Sequence, residues 1–139
     1  MNPVRIQRSR QQKQISPNGL PIKYCGRPSS WSNKFRVVQL PNKKWSVKTD
    51  DNPKLIQILI NNCKPVYELK IDAQRDAVKC FSIWKFPWIY SKNPSIKDFY
   101  LTETNIDLVK KELNGYNLSC WCKLNEPCHV DIYLTILEL

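Results

Sequence analysis

Polar and apolar positions alternate at the start of the chain. Within residues 3–15 Val4, Ile6, Arg8 and Arg10 fall on alternate positions and Arg5 on the other side, which predicts an early, partly exposed strand. Residues 16–21 (SPNGLP) are turn chemistry. Ile22 to Cys25 is a short strand candidate ended by Gly26, and the polar, proline-bearing GRPSSWSN that follows is a loop. Residues 36–48 predict a hairpin around Pro41-Asn42.

Helical spacing takes over after Asp51-Asn52, with Pro53 suited to a first turn. The LIQILI run of this helix is apolar on most sides, so it is expected to be well buried, and Cys63-Lys64-Pro65 ends it. VYELKI (66–71) predicts a strand. A second helix is expected to start near Asp72, with Ala73, Ala77, Phe81, Trp84 and Trp88 on one stripe and Pro87 stopping or kinking it. KNPS (92–95) is a loop. A third helix is expected with Thr104 or Asn105 as cap, Ile106, Val109 and Leu113 on one face, and Gly115 just past its end. YNLSCWC (116–122) reads as a buried strand, and Asn125-Glu126-Pro127 as the opening of a last helix that runs to the end. Strands alternating with helices predict an α/β fold: one compact domain over residues 1–139, a small mixed sheet with helices packed on it, and the site at the carboxyl ends of the strands.

The chain's 139 residues suffice for one core without disulfides or metal merely to fold. At 42% hydrophobic and 24% charged residues, wholesale disorder is excluded. No apolar run reaches the roughly 18 residues of a membrane span, and the start carries no apolar stretch behind its charges, so neither a membrane protein nor a secretory signal is expected. The net charge of +10 is uneven. Residues 1–49 hold eleven Lys/Arg and no Asp or Glu, while the other ninety hold eleven and twelve. A basic segment attracts phosphate-bearing partners, or simply keeps a solvated face soluble. Six cysteines without a signal, three of them clustered, suggest reduced thiols in the cytoplasm.

That cluster is the densest chemistry: Cys120, Cys122, Cys128, His129 (the only histidine) and Asp131 fall within twelve residues. Cys, His and Asp are ligand types that zinc prefers, although C-x-C-x5-C-H is not the paired C-x2-C of common zinc modules. On a regular strand Cys120 and Cys122 share a face about 6–7 Å apart, too far for one ion unless a bulge or strand end near Cys122 brings them together. Cys120 then reads as core beside Leu118, and Cys122, Cys128 and His129, with Asp131 after them, remain as the metal candidates. A second reading makes Cys128, His129 and Asp131 a catalytic or anion-binding group, with the Cys128 thiolate in the first turn of a helix and His129 exchanging protons. A third leaves Cys128 as a small buried residue on a stripe with Ile132, Ile136 and Leu139.

In the polar loop, Arg27 offers a bidentate fork for phosphate or carboxylate, Ser29 and Asn33 offer polar groups, Trp31 offers a ring to a base or sugar, and Gly26 is counted with them as ligand-binding. The alternative is a capped surface turn anchored by Trp31. If both strands belong to one parallel sheet, this loop and the Cys/His segment meet at its carboxyl edge.

RIQRSR, YCGRPSSWSNKF, DAQRDAVKCFSIW and KKELNGYNLSCWCKLNEPCHVDIYL together resemble, in this order and over nearly the whole chain, a small domain family of unknown function common in bacteria and their phages. Its members show a basic R-I-x-R start, a G-R-P-S-x-W-G-N-P-F loop and a C-W-C…C-H-x-D end. The resemblance implies an intracellular α/β domain, in the host cytoplasm if phage-encoded. It also implies that Gly26, Arg27, Pro28, Ser29, Trp31, Asn33, Cys120, Cys122, Cys128, His129 and Asp131 occupy motif positions. Ser32, Lys34 and Val130 depart from the usual Gly, Pro and small residue. The resemblance brings no reaction. The residues lead us to expect binding or processing of a phosphorylated ligand, a nucleotide or nucleic-acid end, with Arg5, Arg8 and Arg10 extending the positive surface. The alternatives are a non-catalytic nucleic-acid-binding module with a structural zinc, and a phage accessory protein using KFPWIY (85–90) as a contact patch.

Overall fold

The computed structural model describes residues 2–10, 15–86 and 104–138. The chain forms two compact units, one from residues 1–32 with 98–139 and one from residues 33–97. Parallel and antiparallel ladders both occur beside the helices, which gives the α/β class expected.

The first unit is built on a three-stranded parallel sheet in the order β1-β5-β2, from β1 (Arg5–Gln7), β2 (Ile22–Tyr24) and β5 (Asn117–Cys120). All four residues of β5 are buried, as suits the middle strand of a parallel sheet. In the numbering used here its helices are α3 (Thr104–Leu113) and α4 (Val130–Leu137). Ile106, Val109 and Leu113 form the buried face of α3. Gly115, at φ 86°, takes the left-handed conformation that lets the chain turn from α3 into β5. α4 packs against α3, β1 and β5.

A buried amide fixes the entry to this sheet. Asn117 Oδ1 accepts from the Val4 N–H at 3.0 Å and from Asn18 Nδ2 at 3.1 Å. Its Nδ2 donates to Ser16 Oγ at 3.2 Å and Asn18 Oδ1 at 2.7 Å. The turn at 16–21 is thereby tied to β1 and β5. Asn117→Ala strips several buried partners at once and is expected to lower unfolding stability by about 2–4 kcal/mol, measured by denaturant titration. A loss below about 0.5 kcal/mol would contradict this role.

The second unit holds the expected hairpin, β3 (Arg36–Gln39) antiparallel to β4 (Trp45–Lys48), followed by α1 (Pro53–Asn62) and α2 (Lys70–Lys85). Asn52 caps α1, accepting from the N–H groups of Lys54 and Leu55. Two expectations are corrected here. The α1 run is not buried on most sides: only Leu55 is fully buried, and Ile60 is 66% exposed. VYELKI forms no strand: Tyr67 makes a single bridge to Trp45, and its hydroxyl is engaged by the Lys64 N–H and the Asp76 carboxylate. The second helix is as expected: it begins at Lys70, near Asp72, and ends before Phe86-Pro87, as a following proline favours. Trp88, KNPS and most of the KFPWIY patch lie outside the described residues.

Candidate metal centre

Strand β5 ends at Cys120, and everything particular to the site follows from that. The expected strand over 116–122 is shorter, because the chain turns at Trp121 and Cys122. The turn carries Cys122 back toward Cys120, so their sulfurs stand 3.8 Å apart instead of the spacing of a regular strand. Two sulfurs at about 2.3 Å from one tetrahedral ion are themselves about 3.8 Å apart. The last helix is also later than expected. Lys123–Glu126 closes into a turn through the Glu126 N–H to Lys123 O bond at 2.9 Å and the Lys123 N–H to Glu126 Oε1 bond at 3.2 Å. α4 therefore starts at Val130, with His129 as its N-cap and Cys128 ahead of it. Cys128 is thus outside the first helical turn, and the expectation of a thiolate held by that turn is corrected.

Cys128 Sγ lies 3.8 Å from His129 Nδ1. The donor atoms of Cys120, Cys128 and His129 all lie within 4.8 Å of one another, so this buried cluster can hold a metal ion. His129 Nε2 is 2.8 Å from the Cys25 carbonyl oxygen. A carbonyl only accepts, so Nε2 carries the proton and Nδ1 presents its lone pair to the sulfurs, the outer-shell arrangement typical of metal-ligating histidines. Burial holds the imidazole neutral by pushing its pKa down. Among the crowded thiols, Cys128 is pushed up by its sulfur neighbours, Cys122 is raised to about 11 by Cys120, and Cys120 is lowered by hydrogen bonds from both. Burial raises Cys25 to about 12. Cys128 and His129 are only 2% and 4% exposed, so the fold encloses both.

The polar loop and the Cys/His segment do meet, as expected of two parallel strands ending at one edge. Besides the Cys25–His129 bond, Tyr133 of α4 donates to the Trp31 carbonyl at 2.9 Å, and the Trp31 and Tyr133 rings pack edge to face at 5.6 Å. Arg27 is exposed and close enough for its charge to lower the His129 pKa. The loop is less of a cradle than its composition suggests. Ser29 Oγ accepts from the Trp31 N–H, and the Ser29 and Ser32 N–H groups close turns onto Gly26 and Ser29. A Cβ on Gly26 would fall 2.4 Å from the Tyr24 hydroxyl oxygen, so glycine there makes room for Tyr24 rather than for a ligand.

Three other candidates are placed elsewhere. Asn33 belongs to the second unit, where its amide donates to the Ala77 carbonyl and accepts from the Phe35 N–H, a structural role in place of the ligand contact expected. Asp131 Oδ2 pairs with Arg5 Nη1 at 2.8 Å. Arg5 also donates to the carbonyls of Lys123 and Leu124, and its side chain is only 8% exposed, so it braces the cysteine-bearing loop from within. Arg8 and Arg10 do face outward, over aromatic rings.

Sequence reasoning set Cys120 aside as core on the spacing of a regular strand, with a strand end near Cys122 as the open alternative, and the strand does end there. The usable signal was the C-W-C pair itself, which a strand end brings onto one ion. A family model described as a domain of unknown function (DUF4326) matches residues 4–139. No curated protein and no solved structure matches the chain.

Proposed function

Since the chain belongs to the DUF4326 domain family, which carries no assigned reaction, we propose a function from its geometry: a zinc-organised module that binds a phosphate-bearing ligand without chemically transforming it. The observation that carries this reading is the Cys25–His129 bond, which leaves Nδ1 facing the Cys128 sulfur in the group with Cys120 while joining the two loops of the sheet's carboxyl edge. Cys120, Cys128 and His129 form the compact group, and Cys122, whose sulfur stands 3.8 Å from that of Cys120, is the fourth ligand we assign. Thiolate and imidazole suit zinc, and four protein ligands leave no open coordination position, which is the structural rather than the catalytic pattern. In this role zinc supplies cross-linking of the loop ends. The chain's own residues supply the ligand contacts: Arg27 after β2, and Arg8 and Arg10 after β1, with exposed side chains at that edge. Guanidinium forks match phosphate geometry, and the acid-free first third of the chain adds attraction.

The test is calorimetric titration of zinc-loaded protein with a short inorganic polyphosphate, which has charge and no base. Binding is expected, weakening on the order of 20-fold between about 50 and about 200 mM salt for three phosphate contacts. The combined Arg8→Gln, Arg10→Gln, Arg27→Gln variant is expected to lose at least about tenfold in affinity. Absent binding, or equal binding by that variant, would refute the reading.

A further inference from the structure

Trp121 has no place in the sulfur cluster that brackets it. It lies between two cysteines whose sulfurs turn together, and its own side chain is left 44% exposed. Burying an indole is among the larger apolar gains open to a chain of this size, so an outward indole at the centre of the site calls for a reason. Around it stand two cations: the Arg8 guanidinium carbon lies 5.5 Å and that of Arg10 5.8 Å from the Trp121 ring centroid. Arg8 also lies 4.5 Å from the Tyr24 centroid, so Tyr24, Arg8, Trp121 and Arg10 form one continuous aromatic and cationic surface. Its backbone is fixed from below. Arg8 N–H donates to the Cys120 carbonyl at 2.8 Å, continuing the β1–β5 ladder past the strand ends to the residue before Trp121.

We propose that this surface is a stacking platform for single-stranded nucleic acid, which names the ligand class of the phosphate-binding module argued above and rests on that reading. Charge and shape both select this occupant. Two arginines on alternate residues of an acid-free segment match successive phosphates. An exposed indole offers a π face that every base can use without regard to sequence, and guanidinium planes stack on bases as well. A duplex hides its base faces, so the platform discriminates for unpaired strands.

The experiment compares four probes on zinc-loaded protein by fluorescence anisotropy and competition: labelled oligothymidylate, labelled oligouridylate, a labelled DNA duplex of equal length, and unlabelled inorganic polyphosphate as competitor. Both single strands are expected to bind at least about tenfold more tightly than polyphosphate or duplex, since one stacked base contributes on the order of tenfold. Trp121→Ala is expected to lose about tenfold on the single strands and nothing on polyphosphate, with Trp121→Phe recovering most of the loss. Circular dichroism and zinc content confirm that the variants are folded. Polyphosphate binding with no preference for single strands, or equal strand binding by Trp121→Ala, would overturn the platform and leave the phosphate reading standing. Failure of every anion to bind would overturn both.

Discussion

Cys122→Ser is expected to cost the protein its zinc, and with the zinc a large part of its stability. The serine hydroxyl is a poor replacement for a thiolate ligand, and three remaining donors leave the ion open to water. A thousand-fold weaker site removes about 4 kcal/mol of stabilisation once free zinc exceeds the wild-type dissociation constant by that factor. At about 4 °C per kcal/mol this is a fall in Tm of about 16 °C. Scanning calorimetry of zinc-loaded protein measures it, and a chelator is expected to bring the wild type down to the same value. Cys63→Ser is the control. Cys63 faces Cys80 across the second unit, sulfur to sulfur at 3.4 Å, and its replacement is expected to leave zinc content unchanged. A Cys122→Ser protein that keeps one zinc per chain would remove Cys122 from the ligand set.

Arg5→Met is expected to produce the second large effect, although the Arg5 guanidinium donates to none of the four ligands. Its guanidinium joins Asp131 on α4 to the carbonyls of Lys123 and Leu124, the residues that follow Cys122. Methionine keeps the stem's packing and deletes all three bonds. The loop between Cys122 and Cys128 then loses its brace, and zinc affinity is expected to fall about 10–100-fold, the usual result of removing an outer-shell partner. Competition with a chromophoric chelator reads this directly. Asp131→Asn is expected to act more weakly, because that carboxylate is 54% exposed and screened while the two carbonyl bonds survive. Unchanged zinc affinity in Arg5→Met would show that the brace is irrelevant to the site.

Much of this architecture was legible in the sequence, for reasons that can be named. The hairpin over 36–48, the capped start at Asn52-Pro53, the Ile106–Val109–Leu113 face and the Gly115 turn are local signals, and the local chain follows them. The meeting of the GRPSSWS loop with the Cys/His segment was also legible, because parallel strands place their following loops at one edge. What periodicity does not carry is where an element stops. The end of β5 at Cys120 and the late start of α4 at Val130 depend on turns closed by long-range or side-chain bonds, such as Arg5 to Lys123 and Leu124 and Glu126 to Lys123. Those two boundaries decide the chemistry, since they bring Cys120 into the cluster and take Cys128 out of the helix. The roles of Arg5, Asn33 and Asp131 were hidden for a related reason. A polar side chain in a motif looks the same in sequence whether it faces a ligand or pairs with its own fold.

X-ray absorption at the zinc edge, on tag-free protein carrying its metal, tests the central claim most directly. The account predicts one zinc per chain, surrounded by three sulfurs at about 2.3 Å and one nitrogen at about 2.0–2.1 Å. A protein that retains no zinc at equimolar supply, or a zinc whose shell is mainly oxygen, would contradict it.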